Sequence, residues 1–236
     1  MTLEKFSFLQ YFHWLENWLQ NIGVNPHVGV NLIIVSIVIV LFAYFAGKKY
    51  RAGFVKPETK LSFSNIIAHG VASLFEMTKS QIGTQALKFF WLMGGFFIFI
   101  LFCNLWGLIP GFLPPTEEFS LTFGLGLISF LIYNFIGFKE NGVGYLKHFL
   151  GPIIYIAPLI GAIELISHLV RPLTLGLRLF GNITGDHFVV SLFSEKIFPV
   201  IVPMPFMALG IFISVIQAFV FYQLSVVYIV GSASHD

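Results

Sequence analysis

The sequence predicts an all-α integral membrane protein, with three near-perpendicular spans, an interfacial helix, and two long, steeply tilted or kinked C-terminal helices. Three observations carry that prediction. Of 236 residues, 57% are hydrophobic and only 10% charged, and 29 Phe outnumber the 13 basic and 11 acidic side chains together; a soluble domain carries about 25% charge. Apolar stretches of about 20 residues, the length that crosses a bilayer as a helix, recur between basic or proline-rich flanks. The last part of the chain holds two apolar segments too long for one upright crossing. This balance excludes a soluble enzyme and a disordered tail. Cys103 is alone, which excludes a disulfide framework within the chain. A net charge of +2, without a basic tract interleaved with aromatics, gives no ground for a nucleic-acid partner.

Residues 1–26 form the first segment, with Phe6, Phe8, Tyr11, Phe12, Trp14 and Trp18 interrupted by Glu4, Lys5 and Glu16. Lacking the basic start, apolar core and small-residue cleavage site of a signal peptide, it reads as an aromatic helix at the membrane interface. It also lacks the Arg-rich, acid-poor pattern of an organelle transit peptide, which points to a bacterial cell inner membrane. The first span, about 28–47, stops at Lys48, Lys49 and Arg51. Positive charge prefers the cytoplasm, so the N-terminus is expected in the periplasm and the C-terminus in the cytoplasm. Across about 61–85, Leu61, Ile66, Ile67, Val71, Leu74, Phe75 and Ile82 recur near helical spacing among polar residues, as in a helix lying on the cytoplasmic surface.

A second span, about 89–109, ends in a loop with Pro110, Gly111, Pro114, Pro115, Glu117 and Glu118. The third, about 119–138, returns to Lys139, Lys147 and His148, and so agrees with the orientation set by the first. Residues 27–151 are thus the spanning part of the chain, and 152–236 a polar-lined helix hairpin. Each half of that hairpin would exceed about 45 Å as one helix at about 1.5 Å per residue, against a hydrocarbon core of about 30 Å. Tilt, kinks or an in-plane course must absorb the excess, and Pro158, Pro172, Pro199, Pro203 and Pro205 are the expected break points. No internal repeat is evident, which speaks against an inverted-repeat transporter.

The chemistry lies in the first half of the hairpin, where Glu164, Ser167, His168, Arg171, Arg178, Asn182, Asp186 and His187 sit in an apolar setting. An arginine at mid-membrane costs about 2.5–3.5 kcal/mol on insertion scales, so something must offset it. At about 100° per residue, Glu164, Arg171 and Arg178 share one face, with Asn182 one turn on. The same strip carries Thr174, Gly181 and Gly185, small residues that let another helix come close. A strip both small and cationic calls for an external surface bearing carboxylates. His187 falls about 180° from Arg178 and faces the protein's own bundle. Arg171 either shares the strip's function or snorkels to head groups. The guanidinium of Arg178 cannot give up its proton; Glu164, His168, Asp186 and His187 can titrate and mark water-filled proton paths. Each histidine can equally be a hydrogen-bonded residue near the interface. Gln217, alone in an apolar stretch, either glues helices or faces Arg178.

The string from Glu164 to His187, ELISHLVRPLTLGLRLFGNITGDH, resembles the signature region of subunit a of F-type ATP synthases, as do Ile216 to Ile229 and Asn104 to Phe112. The resemblance implies two offset half-channels meeting at Arg178, past which a rotating c-subunit ring carries carboxylates, with peripheral-stalk b subunits as further partners. It matches Arg178 to the family's essential arginine and Asn182 to the asparagine one turn later. Glu164, Ser167 and Arg171 match polar positions before it, His187 a titratable position, Gln217 the glutamine of the last helix, and Glu118 the acid that opens the third span. Gly210 departs from the family, which often has His or Glu there, and Asp186 is the candidate to compensate. The ion implied is H⁺, with Na⁺ the alternative.

With no GK[ST] phosphate loop, no G-x-S-x-G elbow and no Cys/His metal spacing, neither catalysis, cofactor nor metal is expected. Two rivals stay open on the residues alone. One is a stand-alone ion-coupled secondary transporter with Arg178 as anion site and Glu164 as proton carrier, the other a scaffold whose charges lock helices together.

Overall fold

The computed structural model describes residues 26–51, 63–83, 86–109, 112–142, 145, 157–196 and 203–233. The expected N-terminal interfacial segment, except Pro26, lies outside them, as does Pro199. Among these residues the α-helices follow in order: α1 (Pro26–Arg51), α2 (Phe63–Ile82), α3 (Ala86–Trp106), α4 (Phe119–Asn141), α5 (Ala157–Lys196) and α6 (Pro203–Ala233), with a 3₁₀ turn at Pro115–Glu117 between α3 and α4. No strand occurs among the described residues. All but α2 are long and apolar enough to cross a membrane, so the chain is an all-α membrane protein.

α3, α4, α5 and α6 form the bundle. Its core is Met93, Phe96 and Ile100 of α3, Leu125 and Tyr133 of α4, Leu175, Leu179 and Ile183 of α5, and Phe221, Tyr222 and Val226 of α6. The Phe96 and Phe221 rings meet at 5.7 Å. Ser129 and Ser225 bridge α4 to α6 at 2.9 Å, the interhelical polar contact that substitutes for hydrophobic drive in lipid. α1 stands at the edge, with 11% of its span buried against 39% for α4, and reaches α3 through Phe42–Phe102 at 5.3 Å and the Trp106 Nε1–H to Asn31 Oδ1 bond at 3.3 Å. α2 turns one face, Leu74, Phe75, Thr78 and Ile82, toward α3 and α6, and leaves most of the rest exposed. The Thr78 and Tyr222 hydroxyls bond to each other. α2 runs out at Gly83 (φ 70°), and α4 at Gly142 (φ 53°), whose N–H closes on Phe138 O at 2.9 Å. Both need the left-handed backbone that glycine adopts without penalty.

Two expectations need correction. Pro172 does not break α5, which runs through it for 40 residues, about 60 Å. Proline is tolerated inside membrane helices where neighbours compensate for the lost hydrogen bond, and Pro172 is buried against α4. Pro203 and Pro205 open α6 rather than interrupt it, and Pro158 occupies the first turn of α5, where the missing N–H costs no intrahelical bond.

α4 and α5 run antiparallel at very close range. A Cβ built on Gly126 would lie 2.5 Å from the Pro172 carbonyl oxygen, and one on Gly176 would lie 2.9 Å from Phe123 Cα. Side chains are absent there because backbone meets backbone. That contact brings the N-terminal end of α4, and the turn before it, beside the second half of α5.

Candidate functional site

The polar residues of α5 separate into two clusters with Arg178 between them. At the end of the bundle where α4 finishes, Arg171 lies 3.8 Å from Glu164 and its guanidinium stacks 5.2 Å over the Tyr228 ring of α6. Both charged side chains stay about one third exposed (33% and 37%), so their attraction is a modest, solvent-screened one. His168 is buried, its Nε2 bonded at 2.8 Å to Asn134 Oδ1, with the Phe130 and Tyr133 rings at 5.1 and 5.3 Å. Asn134 Nδ2 donates to Phe130 O at 2.8 Å, which fixes the amide and leaves its oxygen as acceptor. Nε2 of His168 is therefore the donor. The Tyr145 hydroxyl donates to the same oxygen at 3.1 Å, and burial pushes its pKa up, keeping it protonated. Ser167 is exposed.

At the opposite end, His187 Nδ1 lies 3.4 Å from Glu117 Oε2, an ion pair whenever the imidazole is protonated. Asp186 occupies the room that Gly210 leaves: a Cβ at Gly210 would sit 2.6 Å from Asp186 Oδ2. Thr184 Oγ1 is buried without a hydrogen bond from any described group, and Glu117 Oε2, likewise buried, has His187 Nδ1 at 3.4 Å as its neighbour; ordered water commonly serves such oxygens. Glu118 is the N-cap of α4 by backbone, its N–H bonded to Pro115 O at 3.2 Å, and makes no side-chain cap bond.

Between the clusters, Asn182 Nδ2 donates to Gln217 Oε1 at 2.7 Å. Gln217 is thus engaged as interhelical glue one turn from Arg178. Arg178 itself is exposed and ion-pairs with no described residue. Thr174, Gly181 and Gly185 are exposed on α5 as well, and a Cβ at either glycine would meet nothing within 4 Å. Arg171 does not share that freedom, being held by Glu164 and Tyr228. No group of His, Cys, Asp or Glu among the described residues could hold a metal ion.

Three partners were not anticipated: Glu117, Asn134 and Tyr228. Glu117 lies seventy residues before His187 and on another element, so helical phase along α5 cannot find it. The double acid Glu117–Glu118 ahead of a span was the signal available.

Fold and site together define a multi-pass helical membrane protein with titratable groups along its bundle and, on its outer face, an arginine that ion-pairs with no described residue. The family profile described as ATP synthase A chain matches residues 29–230. The chain is 42% identical over 230 residues to ATP synthase subunit a of Bdellovibrio bacteriovorus, covering 93% of this chain and 98% of that one. It is 40% identical over 227 residues to the subunit a of Geobacter sulfurreducens, covering 95% of each, and 38% identical over 212 residues to that of Sulfurihydrogenibium, covering 90% of this chain and 99% of that one. The chain belongs to the ATP synthase A chain family.

Proposed function

We propose that this chain is the stator proton-channel subunit of a rotary ATP synthase. It passes ions through two offset half-channels to and from carboxylates of a rotating c ring, with Arg178 holding the half-channels apart. The observation that carries the reading is Arg178 itself: exposed, unpaired with any described residue, and flanked by glycines that keep its surroundings open. A guanidinium in lipid without a partner of its own is costly, and a ring of acids on a neighbouring protein offsets that cost.

A protonated ring carboxylate is neutral and tolerates lipid. Arriving at Arg178, it loses its proton to one half-channel, passes as an ion pair, and regains a proton from the other. At about 4 Å and an effective dielectric near 20, the pairing amounts to about 4 kcal/mol, which favours deprotonation yet permits release. Charge crossing the membrane potential contributes about 2.3 kcal/mol per 100 mV, the same order. The fixed positive charge also repels protons that would leak directly between half-channels.

Glu164, Arg171 and Ser167 belong to one half-channel, on the cytoplasmic side by the positive-inside argument. Asp186, His187 and Glu118 belong to the other, on the periplasmic side. Asn182 and Gln217 steady α5 against α6 beside Arg178, and His168 anchors α5 to α4. The chain sits in a bacterial inner membrane with its N-terminus periplasmic and C-terminus cytoplasmic, α2 on the cytoplasmic surface, and the c ring and peripheral-stalk b subunits as neighbours. It carries out no phosphate chemistry of its own.

Crosslinking tests the facing. Cysteines placed at 174, 178, 181 and 185 should each join to the c ring in the assembled complex, and a cysteine at 187 should not. Failure at all four positions, with the chain present in the complex, removes the reading.

A further inference from the structure

We propose that Glu117 carries protons for the half-channel at its end of the bundle, exchanging them with His187. The inference rests on the stator reading above and goes beyond it, because the resemblance to known subunits points to Glu118 and not to Glu117.

The turn that presents Glu117 is built firmly. Pro114 and Pro115 are buried and fix φ. The Glu117 N–H bonds to Pro114 O at 3.0 Å, and Thr116 Oγ1 donates to Asn104 Oδ1 of α3 at 2.8 Å. The carboxyl has two different sides. Its side chain is 30% exposed, yet Oε2 is shielded, accepts no hydrogen bond from any described group, and lies 3.4 Å from His187 Nδ1. Such a group takes a proton from water on its open side and presents it to an imidazole on its closed side. In the step, the O–H bond of protonated Glu117 breaks and an N–H bond forms at His187 Nδ1, leaving a carboxylate and an imidazolium that attract each other; the reverse step returns the proton. Nothing else is consumed.

The other titratable residues on the elements packed at this end are Glu118 beside the turn, Asp186, Glu195 and Lys196 on α5, the buried Cys103 thiol of α3 and His27 in the first turn of α1. Asp186 is turned to Gly210, so Glu117 is the acid that meets His187 from outside α5.

The test uses the complete ATP synthase in inverted membrane vesicles, with proton-driven ATP synthesis normalised to the amount of this chain in the complex and followed from pH 6 to 8. Glu117→Gln should lower synthesis about tenfold, below the usual 10²–10⁴ for losing a positioned proton-transfer group because water partly substitutes. Glu117→Asp should lose no more than about threefold, with a shifted pH profile, since a carboxyl is kept. Synthesis within about twofold of the parent for Glu117→Gln at every pH, or an Asp variant as poor as the Gln variant, overturns the proposal. So does a Gln variant missing from the complex, because the role assigned is proton transfer and not folding. Arg178→Ala in the same vesicles separates the levels. If it also synthesises normally, the stator reading falls; if it is inactive while Glu117→Gln is normal, only the role of Glu117 falls.

Discussion

The two polar clusters of α5 are made of similar residues and are wired differently. Where α4 ends, His168 is buried and bonded to an amide that also bonds Phe130 O and the Tyr145 hydroxyl, and Arg171 is held between a carboxylate and an aromatic face, while the Tyr133 hydroxyl and Asn141 Oδ1 are without a hydrogen bond from any described group. Where α4 begins, His187 faces the Glu117 carboxylate at 3.4 Å, and Thr184 Oγ1 is without a hydrogen bond from any described group. His168 is held by a hydrogen-bonded network, which rigidifies, whereas His187 meets a single carboxylate that is itself 30% exposed. The difference teaches that identity does not set a histidine's surroundings in this bundle: one is bonded to a neutral amide, the other faces a carboxylate.

Removing what divides the clusters has the largest expected effect. Arg178→Ala should abolish coupled ATP synthesis and permit passive proton leak through membranes stripped of the catalytic sector. Arg178→Lys should fail too, because a lysine lacks the planar fork and the permanent charge; normal synthesis in the Lys variant would refute that stricter claim. Next comes the contrast of histidines. His187→Ala should impair proton-driven synthesis at least about tenfold while leaving thermal stability nearly unchanged. His168→Ala should do the reverse, lowering stability by about 0.5–1.5 kcal/mol for the lost hydrogen bond, the Tyr145 hydroxyl still serving the amide oxygen, with a further loss for the void between two rings, read as a drop in unfolding temperature. Equal behaviour of the two variants would dissolve the distinction.

The seam that sets both clusters in register comes third. Gly126→Val should destabilise by about 1–3 kcal/mol through overpacking, since its Cβ would collide with the Pro172 carbonyl. Gly185→Val, open to the outside, should leave the isolated chain as stable as before and weaken copurification of the c ring. The smallest effect belongs to the Asn182–Gln217 bond, for which a double-mutant cycle on stability should give a coupling of about 0.6 kcal/mol, the average for polar pairs between membrane helices.

Much of this was legible from the residues. Apolar runs and basic flanks mark the helices because lipid leaves the backbone few other options, and 100° steps separate Arg178 from His187 without any tertiary knowledge. Helix continuity at Pro172 was not legible: whether a proline breaks a helix depends on what packs beside it, here Gly126 on a helix about fifty residues earlier. The same limit hid Glu117, Asn134 and Tyr228, each on a different element from the α5 residue it meets. The glycines show the division well. Gly126, Gly176, Gly181 and Gly185 are alike in sequence, yet two admit a helix backbone and two face outward, and only the packing of α4 on α5 tells them apart.

The bare seam at Gly126 and Gly176 has a mechanical consequence. At that seam main chain rests on main chain, with no side chain on either glycine to cushion a sideways load. A rotor dragging on the outer flank of α5 would meet both helices as a single stiff strut, and the recoil would pass into the membrane-embedded frame instead of being spent in local give.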